Sequence, residues 1–225
     1  MTAPAIRMPR RSLGVRIAGR ISHNLKALFH VSSFLKNEDR RVLEQVIFQY
    51  FLRREVCRDV LFVGCDWYTE GYNKWFEEKK NYWTIDVDPS SRKYGAKQHI
   101  VDRLQDLGRH FQVGTFDVIV CNGVFGWGLD ARPDVEQAFL ACYRCLRDDG
   151  VLVIGWDDVE ERCPFPLEQC RSLRVFAPFT FPPLGTNEYQ TATPYRHTYT
   201  FYVKEEEGRR DETHGGAPTG WRSEM

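Results

Sequence analysis

Apolar residues along the chain follow two periods, and the change between them marks the organisation. Leu13, Ile17, Ile21, Leu25, Leu28 and Phe29 recur at three- and four-residue spacing with Arg16, Arg20 and Asn24 lying away from them, which predicts an amphipathic helix. A second helix is expected after Asn37, which can cap it, with Glu38 and Asp39 in the first turn and Leu43, Val46, Ile47, Tyr50 and Phe51 on one face. From Asp59 the pattern becomes short apolar runs: Val60 to Val63, Trp83 to Val87, His99 to Val101, Asp117 to Cys121 and Val151 to Trp156. Helical stretches, such as Val135 to Leu146, separate them. Strands alternating with helices imply right-handed parallel crossovers and a sheet covered on both faces. A Pro- and aromatic-rich stretch follows (Pro164 to Pro183), then an alternating run, His197 to Val203, that reads as an antiparallel strand. The polar, Gly-rich tail reads as disordered. The expected organisation is an N-terminal extension (1–36), one α/β domain (37–204) and a tail (205–225).

Composition narrows the classes. At 225 residues with 42% hydrophobic content the chain can bury one substantial core. Lys+Arg 31 against Asp+Glu 31 leaves no net charge to attract polyanions, so no nucleic-acid partner is expected. That neutrality hides an asymmetry, because Arg7, Arg10, Arg11, Arg16, Arg20, Lys26 and Lys36 precede the first acid. The basic extension reads as a helix covering the core or site, as a disordered leader ending in such a helix, or as a membrane-surface or targeting segment. The longest apolar runs are far too short to span a bilayer. Seven cysteines without a secretory apolar region point to free thiols in a reducing, cytoplasmic setting. Cys142 and Cys145 form a C-x-x-C pair to which Cys163 and Cys170 could add ligands, but small buried side chains are the simpler reading, and no metal is expected.

In an open parallel sheet the residues just after each strand face the ligand. Here the first strand ends in Gly64-Cys65-Asp66-Trp67-Tyr68, where Gly64 lets backbone approach a ligand closely. Asp86 lies 22 residues on, near the spacing at which an acid reaches a nucleoside ribose, with Val87 beside it. Asp102 ends the third strand, where it can accept from an adenine amino group, and Asn122-Gly123 ends the fourth and opens a loop. The alternatives are local: Asp86 and Asp88 as turn formers before Pro89, Asp102 as a solvated partner of Arg103, and Asn122 as a backbone satisfier. A nicotinamide dinucleotide site fits less well, because G-x-G-x-x-G is absent and a diphosphate would meet Asp66.

Taken together, DVLFVGC, TIDVDPSS, HIVDRLQDL, FDVIVCNGVFGWGLD and LRDDGVLVIGW resemble, in order and spacing, the class I S-adenosylmethionine-dependent methyltransferases. The resemblance runs from about Asp59 to Asp158 and extends to about Lys204. It implies a doubly wound, Rossmann-like seven-stranded sheet, mostly parallel with an antiparallel last strand and helices on both faces, in which Leu173 to Phe176 and His197 to Val203 supply the late strands. It implies S-adenosylmethionine as cofactor, bound by Gly64, Cys65, Asp66, Asp86, Val87, Asp102 and Asn122. The chain departs from the family where Phe62 replaces an acid and where Asp66 and Tyr68 interrupt the glycine-rich turn. Asp66 can replace the missing acid against the cofactor's ammonium, or the pocket has decayed and the chain is an inactive binding or scaffold protein. No catalytic residue is assigned. Asp130, Asp157, Asp158 and Tyr68 are candidate bases near the mouth, whereas His110 and His197 read as structural. The absence of an Asn/Asp-Pro-Pro-Tyr motif after the fourth strand favours a small-molecule acceptor, covered by a lid built from 164–183 and 185–189. Nothing in the sequence defines the oligomeric state.

Overall fold

The computed structural model of the chain describes residues 37–206. The expectations for the N-terminal extension and for most of the tail fall outside them. The first helical segment runs as α1 (Glu38–Val42), one π-helical stretch (Leu43–Ile47) and α2 (Phe48–Arg53). Asn37 sits at the N-cap with an extended backbone but makes no side-chain capping bond. The expected apolar face is real: Leu43, Ile47 and Phe51 are buried, joined by Val42, Phe48 and Leu52. The π-helical stretch widens that face, because an added residue per turn shifts the register of everything after it.

Five parallel strands follow: β1 (Asp59–Val63), β2 (Asn81–Asp86), β3 (Gln98–Val101), β4 (Phe116–Asn122) and β5 (Leu146–Asp157). Helix α3 (Glu70–Glu77) joins β1 to β2, and α4 (Arg132–Cys145) joins β4 to β5. The remaining strands, β6 (Ala177–Pro178), β7 (Glu188–Gln190) and β8 (His197–Val203), are antiparallel, in the order β3-β2-β1-β4-β5-β8-β6 with β7 also on β8. Central strands are buried on both faces, which is why they read as continuous apolar runs.

Period-two alternation sorts the sheet's side chains into two cores. Leu61, Val63, Ile119, Cys121, Leu152 and Ile154 face α4. Val60, Phe62, Val118, Val120, Val151 and Val153 face α1 to α3. On the second face Phe48 packs edge-on against Phe62, Tyr72 and Phe76, with centroids 6.1, 4.9 and 5.0 Å apart. Phe62 thus fills the place of the family's acid with a ring in an aromatic cluster.

One expectation about the late part of the chain is corrected. Leu173 to Phe176 is not a strand: Arg171–Val175 forms a 3-10 helix, because the Glu136 carboxylate accepts the N–H groups of Arg171 (2.9 Å) and Ser172 (2.6 Å). The short β6 and β7 bring the sheet to eight strands. Within the aromatic stretch Phe176, Phe179 and Phe181 are buried in the core, and Phe181 stacks on Phe201 at 4.4 Å.

The cluster around Phe62 generates a test. Phe62→Leu should cost no more than about 1.5 kcal/mol, as apolar swaps of similar volume do. Phe62→Glu should lower the urea midpoint far more, because it buries an unpaired carboxylate among rings. Equal midpoints for the two variants would show that position 62 meets water.

Candidate functional site

The chain leaves β1 outward to β2 and β3, then returns to lay β4 on the other side of β1, so the strand order reverses between β1 and β4. Val63 pairs with Cys121 there, which sets the turn after β1 beside Asn122. Gly64 has φ +87°, a backbone that a side chain tolerates poorly, and a Cβ on it would stand 2.7 Å from Val124 Cγ1 and 3.8 Å from the Asn122 carbonyl oxygen. Its N–H donates to the Ile85 carbonyl at 2.9 Å.

Asp86, at the tip of β2, ties this corner together. Its carboxylate accepts from the Cys65 N–H (2.6 Å) and the Asp88 N–H (2.7 Å), and its carbonyl accepts from the Asp102 N–H (3.1 Å). Gly64, Cys65, Asp86 and Asp102 are therefore brought together as expected, with Val87 exposed beside them. The Cys65 thiol is pushed up to about 12 by burial and by the Asp86 charge, which leaves it no nucleophilic role. Asp88 does act as a turn former, capping the 3-10 helix Pro89–Tyr94 through the Ser90 N–H at 2.8 Å.

The Asp102 carboxylate accepts from the Arg103 N–H at 2.8 Å but does not pair with its guanidinium, which binds Asp106 at 2.9 Å. Its carboxylate lies 2.8 Å from His110 Nε2, a bond that, with the Arg103 N–H, holds the carboxyl below its ordinary range. His110 thus reaches the tip of β3, because the 3-10 helix Leu104–Arg109 turns the chain back towards it.

The interrupted glycine turn is rebuilt without strain. Among the described residues only Asp149 and Arg196 have positive φ without being glycine, so neither Asp66 nor Tyr68 needs left-handed backbone. The Asp66 N–H donates to Thr69 Oγ1 at 3.0 Å, and the Thr69 hydroxyl and N–H both donate to the Asp66 carbonyl at 2.9 Å. The exposed Asp66 carboxylate accepts from the Trp67 N–H at 2.7 Å. Tyr68 is held by buried Arg40, which donates to its carbonyl at 3.1 Å, lies 4.5 Å from its ring centroid and pairs with Glu44 at 3.3 Å. Burial, then the Asp66 charge, pushes the Tyr68 phenol up, away from service as a base at neutral pH.

Across the switch point, β4, β5 and β8 build a second cluster. Asp157 Oδ1 accepts from His197 Nδ1 (2.7 Å), and its Oδ2 accepts from Arg162 (2.8 Å) and is approached by Trp127 Nε1 at 3.4 Å. His197 Nε2 lies 3.2 Å from Asn122 Oδ1. The Arg162 guanidinium is sandwiched between the rings of Tyr195 (3.7 Å) and Trp127 (4.5 Å). Burial alone would raise the Asp157 carboxyl, but the bonds and charges of His197 and Arg162 outweigh it and hold the group below its ordinary range. An ionised Asp157 engaged on both oxygens is a poor general base. His197, expected to be structural, is the centre of this cluster. Gly155 makes the approach possible, since a Cβ there would stand 1.9 Å from Asn122 Oδ1.

The sequence carried one signal for this cluster, a glycine inside the apolar run VLVIGW, which marks a close backbone or side-chain approach. Arg40, Arg162 and Tyr195 carry no such signal. Asp130 donates nothing to the cluster; its carboxylate accepts from the Gly128 N–H at 3.3 Å. Asp158 pairs with Arg196 at 2.7 Å. Among the described residues no three His, Cys, Asp or Glu side chains group as a metal site.

A family model described as a methyltransferase domain matches residues 61–154. Three solved structures share the fold at low identity. The N-methyltransferase NodS from Bradyrhizobium japonicum is 14% identical, with a TM-score of 0.56 over 76% of this chain and 99% of that one. A TehB-like SAM-dependent methyltransferase from Corynebacterium glutamicum is 19% identical, with a TM-score of 0.54 over 83% of this chain and all of its own. The Burkholderia thailandensis 1,6-didemethyltoxoflavin-N1-methyltransferase, bound to its namesake and S-adenosylhomocysteine, is 12% identical, with a TM-score of 0.52 over 89% and 94% of the two chains.

Because Asp157 titrates below its unfolded value, the stability it contributes is complete above about pH 4 and is lost as pH falls through the lowered value. Asp157→Asn should therefore cost on the order of 2 kcal/mol at pH 6, and the gap to the wild type should shrink below about pH 4. Urea unfolding at several pH values reads this directly, and a gap independent of pH would remove the ionised pair.

Proposed function

We propose that this chain, whose residues 61–154 match a methyltransferase-domain model, is a class I S-adenosylmethionine-dependent methyltransferase that transfers a methyl group to a small-molecule acceptor. The observation that carries this reading is the corner at the β1/β4 switch point. There the Gly64 turn, the Asp86 carboxylate and Asp102 converge through bonds of 2.6 to 3.1 Å at the carboxyl ends of successive parallel strands. The residues fit a nucleoside. Each Asp86 oxygen takes one backbone N–H and keeps a lone pair for a ribose hydroxyl, exposed Val87 offers an apolar face to a base, and Asp102 can accept from an adenine amino group. Gly64, whose missing side chain lets Val124 pack against the turn, carries the chain past the tip of β1 to the exposed Asp66 carboxylate, which can meet the ammonium.

S-adenosylmethionine supplies an activated methyl group, so the protein's task is to bind, orient and exclude water. Asn122 and Gly123 continue β4 beside the cofactor corner, and Trp127, Arg162 and Tyr195 form an aromatic and cationic rim beyond them. An aromatic and cationic rim suits a small ring-bearing acceptor; the Burkholderia neighbour holds 1,6-didemethyltoxoflavin.

Calorimetry on the full chain tests the reading. S-adenosylmethionine and S-adenosylhomocysteine should each bind at micromolar levels, and Asp86→Ala should weaken both at least about tenfold, one to two lost hydrogen bonds to a charged group. Binding of neither ligand at millimolar concentration would overturn it in favour of a scaffold with a decayed pocket.

A further inference from the structure

Trp127, Arg162 and Tyr195 come from three loops that meet at the ligand side of the sheet: after β4, after β5 and before β8. The first two loops touch closely, because Gly126, at φ +81°, lies where a Cβ would collide with the Arg162 carbonyl. The Arg162 N–H donates to the Val159 carbonyl and the Trp127 N–H to that of Val124, both at 3.0 Å. On the third loop the Arg196 N–H donates to the Thr193 carbonyl at 2.9 Å and closes the turn that carries Tyr195. Backbone bonds thus set the place of all three side chains.

Within the stack the guanidinium is held by its faces and by one corner. Its carbon lies 3.7 Å from the Tyr195 ring centroid and 4.5 Å from that of Trp127, so rings pack on it from two sides. Nη1 donates to Asp157 Oδ2 at 2.8 Å, and among the described residues that is the guanidinium's one hydrogen bond. Asp157 itself is closed off by His197 Nδ1 and Trp127 Nε1, and its side chain is 10% exposed against 26% for Arg162. A ligand arriving here therefore meets the unbonded edge of the guanidinium, between the half-exposed rings of Trp127 and Tyr195.

We propose that Arg162 is a specificity-determining residue that receives a carboxylate, and that the acceptor is an aromatic carboxylic acid. A guanidinium offers paired N–H groups in the geometry of a carboxylate's two oxygens, and rings that fix its plane remove the ordering cost a free arginine would carry. The exposed margins of the same rings give the flat body of such an acid two surfaces to contact. No unpaired buried carboxylate stands beside the edge among the described residues to repel it. Asp157 is shared between Arg162 and His197, Asp158 pairs with Arg196 at 2.7 Å, and Glu160 and Glu161 on the same loop are exposed to solvent, where their charge is screened. The inference deepens the methyl-transfer reading and rests on it only for calling the ligand an acceptor.

Saturation-transfer NMR and calorimetry on the full chain test this with benzoate and with benzamide, a neutral probe of the same shape. Benzoate should bind, and benzamide should bind at least about tenfold more weakly, because a hydrogen-bonded pair of charges is stronger than its neutral counterpart. In Arg162→Gln the two affinities should become equal. In Arg162→Lys, which keeps the charge and loses the fork, the preference should lie between those of Arg162→Gln and the wild type. If Arg162 only holds the loops together, its loss weakens both probes alike and the preference for benzoate persists, which would overturn the proposal. So would benzamide bound as tightly as benzoate by the wild type, or no benzoate binding at millimolar concentration. S-adenosylmethionine binding is measured on the same protein. Selective benzoate binding without cofactor binding keeps the carboxylate site and removes the methyl-transfer reading, and cofactor binding without that selectivity does the reverse.

Discussion

The parallel pairing of β1 with β4 is the constraint from which the rest of the site follows. Val63 opposite Cys121 brings the Gly64 turn, from one half of the sheet, against Asn122, from the other. Because all five central strands run parallel, each ends at the same side, and each contributes its next residue to one crevice. A one-residue slip would turn Leu61 and Val63 to the face now held by Val60 and Phe62 and exchange the two cores, so burial on both faces fixes the register.

The crevice has two walls of different character. On the β2 and β3 side, carboxylates and backbone N–H groups are bonded to one another across short loops. On the β5 and β8 side, one carboxylate is held between an imidazole and a guanidinium, and the guanidinium lies between two aromatic rings. The first wall offers carboxylate acceptors. The second suits a ligand whose polar groups must be met in a defined orientation. Asn122 lies between them, with its main chain against Gly64 and its side chain against His197.

The first wall was legible in the sequence and the second was not, for a physical reason. Gly64, Asp86 and Asp102 each end an apolar run, and in a parallel sheet the end of a run is also the edge of the crevice. Their spacing along the chain thus translates directly into position. His197 begins its strand rather than ending it. Only the antiparallel direction of β8, paired Asp157 to His197 along β5, places its start at the ligand side. Arg40 and Arg162 arrive from a helix and a loop whose contacts depend on packing, which no local period records. The error over Leu173 to Phe176 has the same origin. An apolar run of that length fits a strand or a helical turn equally well, and Glu136, far away in sequence, decided it.

The departures from the family pattern also become a single change once the packing is known. With an acid at position 62, the face towards α1 to α3 would need water or a cation at the end of β1. With Phe62 there, the helices close over an aromatic cluster that reaches from Phe48 to Tyr82. That closure carries Arg40 to the back of the turn, where its charge is met by Glu44, the Tyr68 carbonyl and the Tyr68 ring. Tyr68, where glycine would be usual, gives the buried guanidinium a ring to lie on, and Thr69 closes the turn through its bonds to Asp66. The corner that remains keeps its one indispensable glycine, at 64, and keeps its acid at 86. The turn is thus supported from behind by a ring and a guanidinium, while Gly64 and Asp86 stay bonded to the backbone at its front.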